Sequence, residues 1–493
     1  MKFDFRRNLY FYGLLIFLLP FLFIYVGDSY DWEGDTALLL RQAENISTGK
    51  PFYESDFIYN PDYPTLSPAY YPPITPLLLS VAHFFFGHNI HIYLIMESVL
   101  YCIMGILIYL FMRRNFKEWI ALIITVFLLY NQYLFKLKLE IMTDTLFSVL
   151  VLMFFLLIEK KGLKKKNHLI LAGLIGAIAI ETRSMGFALP ISIILLGFIK
   201  WIKGRFHFDA PFKKHILQDA VILISMLISI FIFRIIFNPP SNGISLYSSN
   251  FSSLAFEIVL QNIWLYLNLI IAIIISPFNG WGILTSIIHI LIFIVIVTGL
   301  FRINYKQSGL LIIFLVVYMG VLIIYPYQMG GVRLLLPVLP IIIVVFIKGF
   351  QYLIHLIPLR KARIWIIVLF LSAEVVITIK GHYYFNHYRK PSALTTTETL
   401  EAFDEIKKLT RKQDIIETSF PRIIAFYTNR KAYTSGPDAT LSQYIINKKK
   451  FKGRYLVHSK QYGYKSELNL INSEKVQLIW QNNKYQLYIF KEQ

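Results

Sequence analysis

Long apolar runs separated by short polar connections dominate the chain. A run of about 20 apolar residues covers the roughly 30 Å hydrocarbon core of a bilayer. The pattern therefore predicts a polytopic α-helical membrane protein with about 11 transmembrane helices. The runs lie at residues 9–26, 91–112, 118–135, 143–158, 169–181, 186–201, 216–237, 281–301, 308–326, 334–356 and 364–381.

Basic residues cluster in every second connection between these runs. Such clusters mark the cytoplasmic side of a membrane protein. The rule places the N-terminus in the cytoplasm and turns three segments outward: a first loop at 27–90, a second at 238–280 and the C-terminal part from about 382. The clusters are Arg113, Arg114 and Lys117; Lys160, Lys161, Lys164, Lys165 and Lys166; Lys203, Arg205, Lys213 and Lys214; Arg302 and Lys306; and Arg360, Lys361 and Arg363.

Two apolar segments are shorter than the others. Residues 262–276 are only just long enough to span, and residues 74–86 are too short and begin near prolines. A crossing at 262–276 would move the later basic clusters to the outer side, against the positive-inside rule. We therefore predict that both segments are re-entrant or interfacial.

The composition changes abruptly after the last apolar run. Residues 396–411 read as a helix, with Leu400, Phe403, Ile406 and Leu409 on one face. Short strand-like runs follow at 413–418, 454–459, 475–480 and 484–490. The sequence thus predicts a membrane domain at 1–381 and a small extracytoplasmic α/β domain at 382–493.

Composition and charge fit this class. Hydrophobic residues make up 56% of the chain and charged residues 16%, whereas soluble domains carry about 25% charged residues. The net charge of +20 lies mostly in the short connections, so it does not indicate a nucleic-acid partner. The single cysteine, Cys102, lies in an apolar run and excludes an intrachain disulfide.

The first outward loop opens with acids, and Glu33 and Asp35 are its candidate functional carboxylates. Residues 36–48 read as an amphipathic helix that Asp35 could cap. The alternative is that one of these carboxylates takes the proton from an attacking hydroxyl group. Both interpretations remain open at this point.

Further charged residues lie at the predicted ends of spans. Glu140 and Asp144 are four residues apart, a spacing that places both on one face of a helix. Arg183 and Arg333 fall on the outer side, where the positive-inside rule disfavours them. Guanidinium groups suit phosphate, which they grip with two donors. Lipid headgroups are the alternative partner.

Tyr71, Pro72 and Pro73 predict a rigid turn before the apolar helix at 74–86. Nearby histidines, His83, His88 and His91, would need to converge with an acid to bind zinc. Interfacial histidines are the more ordinary interpretation, so we assign no metal ligands. The sequence contains no glycine-rich phosphate loop, nucleophile elbow or HExxH motif.

The motifs occur in a familiar order. EGDTALLLRQAENISTGKPFY follows the first run, then YYPPITPLLLSVAHFFFG, then a run that ends in Met112-Arg113-Arg114. EIMTDTLF, GLIGAIAIETRSMG and RLLLPVLP come later. In this order the chain resembles the GT-C superfamily of membrane glycosyltransferases. The resemblance is to the branch of protein O-mannosyltransferases, lipid A aminoarabinose transferases and RgtA/B/C/D-like bacterial enzymes.

This resemblance implies an inverting transfer of a hexose or pentose from a polyprenyl phosphate to an acceptor hydroxyl on the outer face. Asp35 would be the general base, with Glu33 as its rival, and Glu140 and Asp144 would support the base or the acceptor. Arg183 and Arg333 would bind the donor phosphate, while Tyr71, Pro72 and Pro73 position the loop.

The same resemblance implies a bacterial inner (plasma) membrane location. The acceptor would be a glycolipid, a polysaccharide or a protein. No cofactor is assigned, and a divalent cation stays open. Where the family often has Asp-Glu, Thr36 follows Asp35, and Tyr71 replaces a common histidine.

Two other functions compete with a transferase. A transporter or flippase for lipid-linked saccharides would show internal repeats and polar groups near the bilayer midplane, whereas here the charges cluster at the ends of the spans. A non-catalytic envelope assembly protein would not depend on these acids and arginines.

Overall fold

Helices make up most of the described part of the membrane region. The computed structural model describes residues 9–24, 34–66, 68–158, 166–203, 210–240, 256–274, 283–303, 305–325, 331–388, 394 and 396–491. Asp28, Asp31, Glu33 and the basic connections at 159–165 and 204–209 lie outside these ranges. The helices are α1 (Leu9–Leu18), α2 (Gly34–Ser47), α3 (Ile74–Phe86), α4 (Ile90–Met112), α5 (Glu118–Tyr130), α6 (Gln132–Phe135), α7 (Thr143–Ile158), α8 (Lys166–Ile180), α9 (Ala188–Lys203), α10 (Ala210–Phe237), α11 (Phe256–Ile274), α12 (Ile283–Arg302), α13 (Tyr305–Ile324), α14 (Leu339–Leu356) and α15 (Arg360–Tyr388).

The protein is a multi-pass membrane protein. Within the described residues, six helices are long and apolar enough to cross a bilayer. A seventh span results if α5 and the segment 132–139, which meet at a bend of 61°, form one broken span. Further apolar helices, such as α7 and α8, are shorter than this limit. The prediction of about 11 spans is confirmed only in its coarser form, a polytopic helical membrane protein.

The segment at 262–276 differs from its prediction. Helix α11 begins earlier, at Phe256, and its 19 residues are sufficient in length and hydropathy for a crossing. The apolar run predicted too short a helix because Glu257 and Gln261 interrupt the run near the start of α11. Helix α3 has the predicted short length, and its exposed side carries Val81, Phe84 and Phe85.

Helix α11 contacts two segments that we predict to lie at the same surface, one through Asn262 in its first half and one through Ile273 near its end. Asn262 Nδ2 donates to the carbonyls of Ile323, at 3.0 Å, and Tyr325, at 2.7 Å, where α13 ends. Asn131, at the break between α5 and α6, donates to the carbonyl of Ile273 at 3.0 Å. The re-entrant or interfacial placement of this segment stays a prediction.

Helices α12 and α14 approach each other closely at two glycines. A Cβ atom at Gly299 would collide with the carbonyl oxygen of Val345, and one at Gly349 would collide with that of Val295. Small residues permit such backbone contact between membrane helices. We expect Gly349→Ala to lower the free energy of unfolding by about 1–3 kcal/mol, because the helices must separate. Thermal unfolding in detergent measures this effect.

The matched control is Gly320→Ala in α13. Apart from the backbone of its own helix, no atom of the described residues lies within 4 Å of a Cβ built at Gly320. This variant should unfold at the wild-type temperature or slightly above it, because alanine is a better helix former than glycine. Equal unfolding temperatures for the Gly349 and Gly320 variants would contradict a tight helix crossing at Gly349.

A mixed sheet organises the C-terminal domain. Its order is β2-β1-β3-β5-β4, with β1 parallel to β2 and β3, and β5 antiparallel to β3 and β4. The elements are α16 (Thr397–Leu409), β1 (Ile415–Thr418), α17 (Pro421–Thr428), β2 (Lys431–Tyr433), α18 (Leu441–Phe451), β3 (Gly453–Ser459), α19 (Lys465–Ile471), β4 (Val476–Gln481) and β5 (Tyr485–Phe490).

Four of these strands and the first helix match the sequence prediction, but the predicted buried face of α16 is partly wrong. Phe403 and Ile406 are buried, while Leu400 and Leu409 are exposed. The small residues Thr399 and Ala402 occupy the buried face instead, because they allow the helix to pack closely on the sheet.

The first outward loop adds to the edge of this sheet. The N–H of Ile58 donates to the carbonyl of Ala432 at 2.8 Å, and the N–H of Ala432 donates to the carbonyl of Asp56 at 3.0 Å. Phe57 thereby pairs with β2 in parallel. The loop covers an edge that would otherwise expose unpaired backbone groups. The membrane region and the C-terminal domain are consequently joined by backbone hydrogen bonds.

Candidate functional site

Helix α2 places Asp35 at the junction of the membrane region and the C-terminal domain. The helix begins at Gly34, so Asp35 lies in its first turn rather than at the predicted N-cap position. The residues from Ala37 to Ala43 are buried, which fixes the helix against its surroundings. Thr36 adds a hydrogen bond from its hydroxyl to the carbonyl of Ile141, at 3.2 Å.

Two arginines hold the Asp35 carboxylate. Arg333 Nη2 lies 3.4 Å from Oδ2, and Arg422 Nη1 donates to Oδ1. Burial alone would raise the pKa of Asp35, but the positive charges of Arg422 and then Arg333 outweigh it and hold the pKa below its usual value. The carboxylate is therefore ionised at neutral pH.

Tyr71 lies beside Asp35 and is held by helix α2. The side chain of Gln42 forms two hydrogen bonds with the Tyr71 backbone, accepting from its N–H at 2.9 Å and donating to its carbonyl at 3.0 Å. Burial, and then the charge of Asp35, raises the pKa of Tyr71 well above its usual value. The phenol therefore stays protonated and can donate a hydrogen bond.

The two prolines after Tyr71 form the predicted turn. Pro73 occupies the N-cap position of α3. The N–H of Ile74 donates to the carbonyl of Glu181 at 3.1 Å, which joins the turn to the segment that carries Arg183. Tyr71, Pro72 and Pro73 thus connect α2 to the end of α8.

A second ion pair adjoins the first. Arg183 Nη1 lies 2.6 Å from Asp144 Oδ1 and 2.9 Å from the Thr143 hydroxyl. Arg333 Nη1 lies 3.4 Å from the sulfur of Met142. Because Met142, Thr143 and Asp144 are consecutive, one short segment contacts both arginines. The predicted residues Asp35, Asp144, Arg183 and Arg333 therefore form one cluster.

Glu140 is placed differently from its prediction. It ends the 3₁₀ turn at 136–139 in an extended conformation, and α7 begins only at Thr143. Glu140 and Asp144 are therefore not on one face of a single helix, because residues 140–142 break the helical path. The Glu140 carboxylate lies 3.1 Å from Lys136 Nζ. It belongs to this local pair rather than to the arginine cluster.

Two further residues belong to the neighbourhood and were not predicted. Arg422 lies in the first turn of helix α17 in the C-terminal domain, and its side chain is only 3% exposed. Glu97 on α4 is buried near Asp144 and Thr145, in an otherwise apolar span. Its single charge within that span was the sequence signal that could have identified it, because intramembrane carboxylates are costly.

The histidines form a separate group on the surface. His83 contacts the Ser47 hydroxyl at 2.6 Å and His88 at 3.4 Å, and His88 lies 3.5 Å from Glu44. The hydrogen bond from His88 is the main cause that lowers the pKa of Glu44 to about 2. Among the described residues, no group of three or more histidine, cysteine or acidic side chains has the arrangement of a metal site.

Comparisons with known proteins match this architecture. Residues 70–233 match the family described as dolichyl-phosphate-mannose-protein mannosyltransferase. ArnT from Cupriavidus metallidurans, solved with undecaprenyl phosphate, superimposes with a TM-score of 0.58 at 12% identity and covers 98% of each chain. The chain has the fold of ArnT. The resemblance to the GT-C superfamily is thereby confirmed.

AglB, the oligosaccharyltransferase from Archaeoglobus fulgidus, has the same fold. Its complex with an inhibitory peptide and a dolichol-phosphate superimposes with a TM-score of 0.58 at 13% identity, covering 92% of this chain and 70% of AglB. None of the curated protein sequences matches the chain. The family match includes Tyr71, Asp144 and Arg183, whereas Asp35, Arg333 and Arg422 lie outside residues 70–233.

Proposed function

We propose that this GT-C protein transfers a sugar from a polyprenyl phosphate to an acceptor hydroxyl at the outer face of the membrane. The observation that carries the proposal is the 3.4 Å contact between Asp35 and Arg333, which lie 298 residues apart. A carboxylate that can accept a proton and a guanidinium that can bind a phosphate thus share one site.

The proposed reaction is a single displacement. The acceptor oxygen attacks the anomeric carbon and gives its proton to the Asp35 carboxylate. The bond from that carbon to the phosphate oxygen breaks, and polyprenyl phosphate leaves with the electron pair. The configuration at the anomeric carbon inverts because attack and departure take place on opposite sides.

Arginines supply the charge that the leaving phosphate needs. Arg183, Arg333 and Arg422 carry three positive charges, while Asp35 and Asp144 carry two negative charges. The excess of one positive charge suits the single negative charge of a sugar phosphodiester. We assign phosphate binding to Arg183 and Arg333, because preformed donors stabilise charge that develops on a leaving group.

Supporting roles follow from the neighbouring contacts. Asp144 orients Arg183, and the Tyr71 hydroxyl is placed to orient Asp35. Glu33 remains a rival base only as a proposal from sequence. ArnT was solved with undecaprenyl phosphate and AglB with dolichol-phosphate and a peptide, so lipid phosphates and a glycolipid, polysaccharide or protein acceptor are the substrates that we propose. The membrane would be the plasma membrane, with the C-terminal domain outside.

Purified protein in nanodiscs should consume undecaprenyl phosphate linked to one sugar of a panel of mannose, glucose, galactose and aminoarabinose. Arg333→Gln should lower kcat/KM for that donor by about 10–100-fold, mainly through a higher KM, because a charged hydrogen bond contributes about 1.5–3 kcal/mol. Mass spectrometry of released undecaprenyl phosphate measures turnover.

The matched control is Arg302→Gln. Arg302 lies at the end of α12 and stacks on Tyr352 of α14. Among the described residues it has no contact with the cluster. Its variant should keep the wild-type KM. Movement of labelled donor across vesicles without its consumption would support a transporter and contradict the transferase proposal.

A further inference from the structure

Arg422 of the C-terminal domain is a cationic partner of Asp35. Its Nη1 donates to Asp35 Oδ1, while its Nη2 donates to the carbonyls of Leu66 and Pro68, at 2.7 Å each. Its guanidinium also lies 5.0 Å from the centroid of the Phe57 ring. One side chain from α17 therefore contacts both helix α2 and the first outward loop.

A different arginine, Arg41, binds the C-terminal end of helix α17. Arg41 on α2 donates to the carbonyls of Ala425, at 3.0 Å, and Phe426, at 3.2 Å, and to the side chain of Asn429. These contacts lie at the end of α17 and do not involve Asp35. Docking of the C-terminal domain therefore has a contributor that is independent of Arg422.

Arg333 and Arg422 contact different oxygens of the Asp35 carboxylate. In the proposed reaction Arg333 also binds the donor phosphate, which competes for its guanidinium. Arg422 is mostly covered, and its second nitrogen is occupied by loop carbonyls. It therefore stays on Asp35 when Arg333 turns toward the phosphate.

We propose that Arg422 is a positioning residue, through which the C-terminal domain keeps the Asp35 carboxylate oriented toward the acceptor while Arg333 binds the donor. This inference rests on the proposed function. It makes the C-terminal domain a component of the reaction site rather than a separate accessory domain.

The charge of Arg422 also predicts a pH effect. The groups that act on Asp35 are Arg422, Arg333, Arg183 and Tyr71. Asp35 can accept a proton only when it is ionised, so activity falls as the pH falls through its pKa. Arg422 lowers that pKa. Its removal must therefore move the acidic limb of the pH profile to higher pH.

The test measures kcat/KM against pH for the full-length protein in nanodiscs, with the undecaprenyl-phosphate sugar that the wild type consumes. Arg422→Met should lower kcat by about 10²-fold, because small misplacements of reacting groups have effects of this size. The acidic limb of its pH profile should move to higher pH, because the charge that lowers the pKa of Asp35 is lost. Arg422→Lys should restore the limb but only part of kcat, because lysine keeps the charge and loses the planar fork.

Two controls separate positioning from docking. Arg41→Gln weakens the far end of the α17 contact and should leave the position of the acidic limb unchanged. Arg430→Gln removes an arginine that donates hydrogen bonds to carbonyls within the C-terminal domain, including that of Thr410 at 2.9 Å. This variant should also leave the position of the acidic limb unchanged.

The failures of the two proposals are distinguishable. A wild type that consumes no donor in the panel overturns the proposed function and this inference together. A wild type that turns over, with an Arg422→Met variant that keeps its rate and pH profile, overturns the role of Arg422 alone. The same follows if Arg41→Gln reproduces the shifted acidic limb, because the effect would then belong to docking.

Discussion

Asp35→Asn should reduce sugar transfer by about 10²–10⁴-fold, the range typical of general base catalysis. Asparagine has almost the same shape, and its single oxygen can still accept a hydrogen bond from one of the two arginines, which contact different oxygens of Asp35. It cannot take a proton from the acceptor hydroxyl. The chemical step is therefore lost while the fold survives. Release of undecaprenyl phosphate from a labelled donor measures the rate, and thermal unfolding checks the fold.

The control for this substitution is Asp62→Asn in the same outward loop. Asp62 is also ion-paired, with Lys450 Nζ at 2.7 Å, but its side chain is 63% exposed and it has no contact with the cluster. Exposed pairs contribute little, so this variant should behave as wild type. Full activity in Asp35→Asn would assign the base to another residue, and Glu33→Gln would then be the next variant to measure.

Arg183→Met should have the largest effect on stability. Asp144 is buried, and the substitution leaves its charge without the guanidinium that lies 2.6 Å away. Removing one partner of a buried ion pair typically costs about 3–5 kcal/mol. We expect a lower unfolding temperature in detergent together with loss of transfer.

The double variant Arg183→Met/Asp144→Asn tests the reason for that loss. Asparagine is neutral, so it removes the uncompensated charge, and the double variant should unfold at a higher temperature than Arg183→Met alone. It should remain inactive, because the proposed phosphate ligand is absent. If the double variant is no more stable than the single one, the ion pair is not the source of the stability.

The membrane class and much of the site follow from local features of the sequence. The length of the apolar runs matches the thickness of the bilayer core. Arg183 and Arg333 were predicted as site residues because arginines on the outer side depart from the positive-inside rule. Asp35 follows a span and opens an amphipathic helix, which is again a local pattern. That Asp35, Arg183 and Arg333 lie close together depends on how the helices pack. In the sequence, only the order of the motifs indicated this proximity.

The residues that escaped prediction depend on distant contacts. Arg422 lies in a short helix between two strands, and nothing near it in the sequence indicates that it reaches Asp35. The i, i+4 spacing of Glu140 and Asp144 suggested one helix face, but the chain is extended at Glu140. The prediction made helix α11 too short because Glu257 and Gln261, which are exposed in the structure, interrupt the apolar run in its first turns.

Pairing between the first outward loop and strand β2 has a consequence for biogenesis. The sheet that receives Phe57 is complete only when β5, which ends at Phe490, is inserted between β3 and β4. Contacts between such remote parts of a chain form late. A nascent polypeptide, even with its helices already in the bilayer, therefore lacks a finished carboxylate–arginine cluster until strand β5 has been made. Assembly of the complete cluster thus waits until the C-terminal domain has folded.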